Sequence, residues 1–535
     1  MAGAERMVKD STATIVIVET SDLHGNILPI QYANNQLNEV GLAKAATLIR
    51  QARSLHDNVL VIDNGDLIQG TPLAYHHAKL DGKSANPMTK CLNLLGFDAA
   101  VIGNHEFNYG FELLQKAVDE SQFPYLCANL VWEHSGEPIF GKPYMIKQFG
   151  AGGPIAAVLG LTTHYIPNWE NPDHIAGIRF DDALETAKRW VLHLRDEEHA
   201  DVIIVAYHGG FERDLDSGLP TEPLTGENQG YLLCTEVPGI DIMLTGHQHR
   251  LIAGKQINGV TVVQPGVAGG SLGKVTILLE RSGERWRVAH SSSELLSVQG
   301  VVPDEEIVQA AQPHEQLAQV WLDQPIGQVK GDMVVTDPMR VRLKDSPLIE
   351  FINRVQMELS GALISNTALF DNSSPGFPAN VTMRDIVSNY IYPNTLKVIR
   401  ITGQDIKDAL EQSASYFKTY TGGQVEVSDK FRTPKPQHYN YDMWEGITYR
   451  LNISRPVGER VVQLDYEGSP IDLSATFDVV LNNYRAGGGG NYTMFQGKPV
   501  VKDIPTDVAE LLASYIMERG TIEAACNDNW EVVHD

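Results

Sequence analysis

The sequence predicts two domains: an α/β N-terminal domain of layered β-sheets flanked by helices, and an α+β C-terminal domain. A helical connector joins them. Three observations lead there. Through about residue 280, short β-branched runs alternate with helically spaced apolar patterns, which is strand–helix–strand layering with strands buried on both faces. A proline-started segment at about 303–322, polar on one side, ends that alternation, and a different mixture of strands and helices follows. Finally, 535 residues exceed what one ordinary core holds. The expected boundaries are 1–300 for the first domain, 301–325 for the connector and 326–535 for the second domain.

Taken in order, the first strand is 14–20 (TIVIVET), followed by Ser21-Asp22-Leu23-His24-Gly25-Asn26. A helical pattern at 41–55 leads to the strand 59–63 (VLVID) and then Asn64-Gly65-Asp66. After a second helical pattern at 89–95, the apolar run 99–102 ends at Gly103-Asn104-His105-Glu106. Gly103 lets the backbone leave its strand tightly, so Asn104 and His105 are presented at the strand's carboxyl end, the edge where open α/β sheets bind ligands. Strand 155–161 precedes a helix at 181–198 opened by Asp; strand 202–207 ends at His208, and 240–245 ends at Gly246-His247-Gln248-His249. Strand 275–280 closes the domain. The connector at 303–322 is expected to break or kink near Pro313. Beyond it, Asp345-Ser346-Pro347 opens a helix at 348–358.

Charge and cysteine usage exclude several classes of function. The chain carries 42 Lys+Arg against 67 Asp+Glu, a net −25, which argues against a nucleic-acid polymer or an anionic membrane as partner. An anionic small substrate would then need bound cations to reverse the local sign. Cys91, Cys127, Cys234 and Cys526 show no C-x-x-C spacing, so neither a zinc ribbon nor a disulfide framework is expected. The first ten residues hold charges but no following apolar core, and no stretch approaches the roughly 18 apolar residues of a membrane span. As written, the chain is expected to be cytoplasmic, with no membrane insertion, and a monomer or weak dimer. A removed signal peptide would give the same start and a periplasmic or extracellular protein.

Five strands are each followed at once by an oxygen-ligand or imidazole cluster: Asp22/His24, Asp66, Asn104/His105, His208 and His247/His249. Each has an ordinary explanation alone, since Asp after a strand commonly caps a helix and a lone His is usually structural. Five coincidences at one edge of one sheet are a different matter. Two divalent ions about 3.5–4 Å apart need a bridging carboxylate and separate ligands for each ion. Asp66 is placed to bridge; Asp22, His24 and His249 could complete one ion, and Asn104, His208 and His247 the other. His247 and His249, two apart on an extended segment, would point the same way. Oxygen and imidazole ligands without thiolate suit Mn, Zn, Co or Fe rather than Ca²⁺.

The order D-x-H, G-D, G-N-H-E, a later H and then G-H-x-H resembles the calcineurin-like metallophosphoesterases. Residues 15–27 (IVIVETSDLHGNI) and 97–108 (FDAAVIGNHEFN) are similar to the two signatures of the 5′-nucleotidase family, and the resemblance runs nearly end to end. It implies a dimetal phosphohydrolase in which a metal-bridging hydroxide attacks phosphorus. His105 then protonates the leaving oxygen instead of binding metal, a role open to imidazole near neutral pH. Glu106 is expected to support the loop or start a helix.

In the second half the resemblance concerns binding. It implies that aromatics at Tyr441 and Tyr484 sandwich a nucleobase, an interaction worth about 1–3 kcal/mol per base. The four glycines 487–490 lack a following Lys-Ser/Thr and so are no P-loop. Where other members carry Asn-Gly-Gly-Gly-x-Arg, this chain reads Asn366-Thr367-Ala368-Leu369-Phe370-Asp371, so their phosphate-holding arginine is missing. Arg340, Arg342 and Arg485 could compensate, and Asn366 and Arg485 remain substrate-binding candidates. Gly490 replaces an aspartate that contacts ribose hydroxyls, which makes sense if those oxygens are esterified. Asn108-Tyr109-Gly110 and the segment Tyr439-Asn440-Tyr441-Asp442 are similar to bacterial 2′,3′-cyclic-nucleotide 2′-phosphodiesterase/3′-nucleotidases. That activity is the expectation. A 5′-nucleotidase or UDP-sugar hydrolase is the alternative within the class, and a non-catalytic nucleotide-binding surface protein the alternative outside it. Retention of every ligand argues against the last. The resemblance further implies that the two domains close about the connector to assemble the site.

Overall fold

The apolar runs of the first half become strands of two six-stranded sheets. One has the order Arg285–Ser297, Ser271–Ser282, Thr12–Thr20, Val59–Asp63, Ala99–Val101, Tyr125–Leu126. The other runs Leu251–Ile257, Val260–Pro265, Ile242–Thr245, Val202–His208, Ile155–Thr162, Tyr144–Gln148. Their central strands are parallel; the second sheet has an antiparallel strand at each edge, whereas the first has them at one edge only, its Tyr125–Leu126 edge being parallel. This computed structural model describes residues 12–222, 224–283, 285–392, 394–433, 435–504 and 506–535. The opening decapeptide, considered above for a leader, lies outside the described residues.

Period-two alternation explains why the strands read as unbroken apolar runs. Ile15, Ile17, Leu60 and Ile62 of the first sheet pack against Val158, Ile204, Ala206 and Leu244 of the second in one core layer. The alternate residues of the second sheet, among them Leu159, Ile203, Val205 and Met243, face the other way. There they meet Ala187, Val191 and Leu194 of the Ala183–Asp196 helix, which Asp182 caps by accepting from Glu185 N–H at 2.9 Å. The central strands of the second sheet are therefore covered on both faces. One correction follows. The five clusters follow strands of two stacked sheets, not of one: Asp22, Asp66 and Asn104 belong to the first, His208 and His247 to the second.

The described residues fall into two compact units: those of 12–31, 36–167 and 172–316, and then those of 32–35, 168–171 and 317–535. The helix Glu305–Leu322 runs without a break through Pro313. The second unit centres on a five-stranded sheet, in the order Asp442–Glu445, Ile364–Ala368, Thr476–Asn482, Leu396–Thr402, Val500–Ile504. The helices Pro347–Ser360, Gly403–Ala414 and Val508–Arg519 contribute Ile352, Leu410 and Leu512 to its core. Among the described residues no helix is long and apolar enough to cross a membrane.

Candidate metal centre

The loops after the strands converge because their glycines allow it. A Cβ on Gly103 would stand 2.4 Å from the backbone nitrogen of Asp66, and one on Gly246 would stand 2.2 Å from Ser21 Oγ. Only glycine lets these segments approach so closely. Asp22, His24, Asp66, His247 and His249 all hold left-handed backbone, with φ between 46° and 66°. Such strain in non-glycine residues gathers at functional sites. It also overturns the expectation of an extended Gly-His-Gln-His segment: His247 and His249 turn to different partners.

Two triads result. Donor atoms of Asp22, His24 and His249 lie within 4.8 Å of one another, as do those of Asp66, His208 and His247. Asp66 Oδ2 reaches towards both, 3.3 Å from His208 Nε2 and 3.8 Å from His24 Nε2. Asn104 Oδ1 lies 3.1 Å from His208 Nε2 and 2.8 Å from His247 Nδ1. His105 stands beside this centre. Its backbone N–H donates to Asp66 Oδ1 at 2.8 Å, its ring is edge-on to His24 at 5.3 Å, and its Nδ1 meets Asn108 Oδ1 at 2.7 Å.

The donor set fits divalent cations. One nitrogen of each of three imidazoles is engaged by an oxygen acceptor: His24 Nδ1 by Gln69 at 3.2 Å, His208 Nδ1 by Asn64 O at 2.6 Å and His247 Nε2 by Glu227 at 2.9 Å. The other nitrogen of each ring faces the centre, where it could offer a lone pair to a metal that displaces its proton, the arrangement that orients metal-binding histidines. His24 Nε2 and His249 Nε2 face each other at 3.2 Å, a pair of bases that a cation between them would reconcile. Burial pushes Asp22 upward, yet the hydrogen bond and charge of His249 draw it down to about 2. Burial likewise disfavours charge on His208, but Asp66 overrides it and lifts the imidazole to about 10. The cluster holds positive charge tightly, and metal would compete with protons for the same atoms.

Sequence reasoning did not find Gln69, Glu227 or the Asn64 carbonyl, for which no spacing signal exists. Glu106 had a signal, its place in Asn-His-Glu. Its carboxylate accepts from the N–H groups of Asp66, Leu67 and Gly103 at 2.9, 2.5 and 2.6 Å and so shapes the loop that carries Asp66.

The second unit requires corrections. Tyr441 is 0% exposed; its hydroxyl donates to Arg342 O at 2.8 Å and its ring packs on Tyr416 and Phe417, so no face is left for a base. The tyrosine near Tyr484 is Tyr439, edge-on at 6.4 Å. Arg485 is 1% exposed and engaged inside the unit: Asp442 takes two of its N–H groups at 2.8 and 2.9 Å, and Tyr439 O and Gly489 O take others. It braces the tyrosine loop and offers nothing to a phosphate. Arg342 is buried too, bonded to Asn372 and Leu369 O, whereas Arg340 is exposed. Asn366 sits mid-strand at 1% exposure, its amide without a partner among the described residues. A Cβ on Gly490 would fall 2.1 Å from Asn440 Oδ1 and 2.4 Å from Arg485 Nη1, so an aspartate there would displace the brace.

Both units have counterparts among known proteins. Residues 15–251 match the model of the calcineurin-like phosphoesterases, and 325–497 match that of the 5′-nucleotidase C-terminal domain. The 2′,3′-cyclic-nucleotide 2′-phosphodiesterase/3′-nucleotidase of Salmonella typhimurium is 29% identical over 98% of this chain and 90% of its own length. The trifunctional nucleotide phosphoesterase YfkN of Bacillus subtilis is also 29% identical, but this chain spans only 38% of it. A crystal structure of a candidate 5′-nucleotidase from Staphylococcus aureus with alpha-ketoglutarate superposes with a TM-score of 0.87 at 38% identity, covering 98% of this chain and 100% of that one.

Proposed function

This chain belongs to the 5′-nucleotidase family of calcineurin-like metallophosphoesterases, and from that premise we propose that it hydrolyses 2′,3′-cyclic nucleotides at the 2′-oxygen and then releases phosphate from the 3′-nucleotide. It is a metal-dependent phosphoric ester hydrolase. One observation carries the reading: Asp66, a member of one ligand triad, also reaches towards His24 of the other, with His105 on the adjoining loop.

Asp22, His24 and His249 would hold one divalent ion, and Asn104, His208 and His247 the other, with Asp66 shared. Mn, Zn, Co and Fe all suit this donor set. When bound, the ions supply Lewis-acid stabilisation of phosphoryl charge and activate water. His105 gives a proton to the leaving ribose oxygen. Asn108 Oδ1 takes the Nδ1 proton at 2.7 Å, so Nε2 is the atom that delivers. Gln69, Asn64 and Glu227 fix the tautomers of His24, His208 and His247. Tyr439 and Tyr484 recognise the base in place of the Tyr441/Tyr484 pair. In this reading 1–300 is the catalytic domain, 301–325 the connector and 326–535 the base-recognition domain.

A 5′-nucleotidase reading is favoured by the 38% identity to the Staphylococcus aureus protein. Rates on 2′,3′-cyclic AMP, 3′-AMP, 5′-AMP and a UDP-sugar, with Mn²⁺ and with chelator, separate the two. The cyclic and 3′ substrates should lead, and preference for 5′-AMP would overturn the proposal. His105→Ala should lower kcat by about 100-fold or more with metal content unchanged; loss of metal would reassign His105 as a ligand.

A further inference from the structure

A third imidazole–carboxylate constellation lies in the first unit, outside the centre just described. The helix Pro72–Leu80 presents His77 in its last turn, and Asp81, four residues on, caps its end. Residues at this spacing share one helix face. His314 comes from the helix Glu305–Leu322, immediately after Pro313. One donor atom from each of the three lies within 4.8 Å of the other two. His314 Nδ1 is 3.9 Å from Asp81 Oδ2, and the imidazoles meet edge-on at 5.8 Å. The two triads of the phosphoester centre meet the same separation.

A second observation points to a ligand. His77 is 2% exposed, and its Nε2 has no hydrogen-bond partner among the described residues. Its Nδ1 has only a long 3.4 Å contact to Ser84 Oγ, whose hydroxyl already serves Asp81 Oδ2 at 2.7 Å. A buried polar atom left so is unusual and asks for a missing partner. Burial, with Lys116 and His314, holds His77 down to about 4, and burial also lowers His314. Both rings are therefore neutral, as metal ligands must be. The neighbouring lysines have partners elsewhere: Lys116 Nζ pairs with Glu120 at 2.7 Å, and Lys90 Nζ donates to Ala310 O at 3.2 Å.

We propose that His77, Asp81 and His314 bind a divalent cation of the Zn²⁺ class, separately from the phosphoester centre, and that this ion staples the middle of the Glu305–Leu322 helix to the Pro72–Leu80 helix. Two imidazoles and one carboxylate are a Zn²⁺ donor set that leaves one position for water. Tetrahedral ligands at about 2.1 Å stand roughly 3.4 Å apart, so side-chain adjustment of about an ångström closes the site. The place is apt, because Pro313 removes an amide donor from the helix interior and weakens it there.

The test uses the full chain, saturated with Zn²⁺ and freed of excess metal, with ions counted by mass spectrometry. His314→Ala and Asp81→Asn should each hold one equivalent fewer than the parent, whatever the parent's total, and keep the parent's kcat. Zn²⁺ should raise the parent's Tm more than that of either variant. Because the readout is a difference of one equivalent, failure of the dimetal reading would show separately, as a changed total in parent and variants alike. Equal metal content in parent and both variants would overturn the site.

Discussion

Asn108 is a side chain in contact with the proposed acid. Its amide oxygen stands 2.7 Å from His105 Nδ1, where an aspartate would bring a full negative charge to stabilise an imidazolium. Asn108→Asp should therefore move the alkaline limb of the kcat/KM–pH profile upward; an unmoved limb would mean that the pair is not coupled to proton delivery. Asp63 offers a second prediction. Burial, only partly offset by the 2.7 Å hydrogen bond from Thr20, raises its carboxyl from 3.8 to about 8. A raised folded-state value means that the stability due to the protonated form is complete below pH 3.8 and lost as pH climbs towards 8. In chelator, Asp63→Asn should gain on the parent across that window, by up to about 1.4 kcal/mol per pH unit. Parallel Tm–pH curves would count against it.

At the scale of elements, the turn His438–Asn440 and the strand Asp442–Glu445 decide which tyrosine is available. Tyr441, entering the strand, is drawn into the core, while Tyr439, within the turn, is only partly buried. Tyr439→Ala and Tyr484→Ala should each raise KM by an amount equivalent to about 1–3 kcal/mol, with Tm little changed. Tyr441→Ala should instead destabilise the second unit by about 3–5 kcal/mol. A KM effect confined to Tyr441 would reverse the assignment. The sequence Tyr-Asn-Tyr-Asp holds both residues two apart, and its pattern cannot say which one faces the core. Elsewhere the elements were legible: the 42–55 helix and the 59–63 strand fall where periodicity places them, because tertiary packing there reinforces local pattern.

For the whole molecule, bound cations would reconcile the acidic balance of −25 with the anionic substrate proposed above. All three constellations argued here as cation sites belong to the first unit. Chelation should therefore lower the thermal transition of that unit and leave the second unit's unmoved. Each site saturated at 100 times its Kd contributes about 2.7 kcal/mol. Calorimetry with and without chelator checks this, and a shift of both transitions would show that the metals act beyond their own unit.

The amino-acid order alone determined that oxygen and imidazole side chains follow five strands, since adjacency in the chain places them at strand ends in any such fold. It also marked Asn104, His105 and Glu106 for separate duties. Tertiary structure decided that two sheets, not one, bring these strand ends together, that Gln69 and Glu227 orient the histidines, and that Arg485 braces a loop instead of meeting a phosphate. Those outcomes depend on contacts between distant segments and on left-handed backbone at Asp22, His24, Asp66, His247 and His249. Local residue pattern carries no record of either.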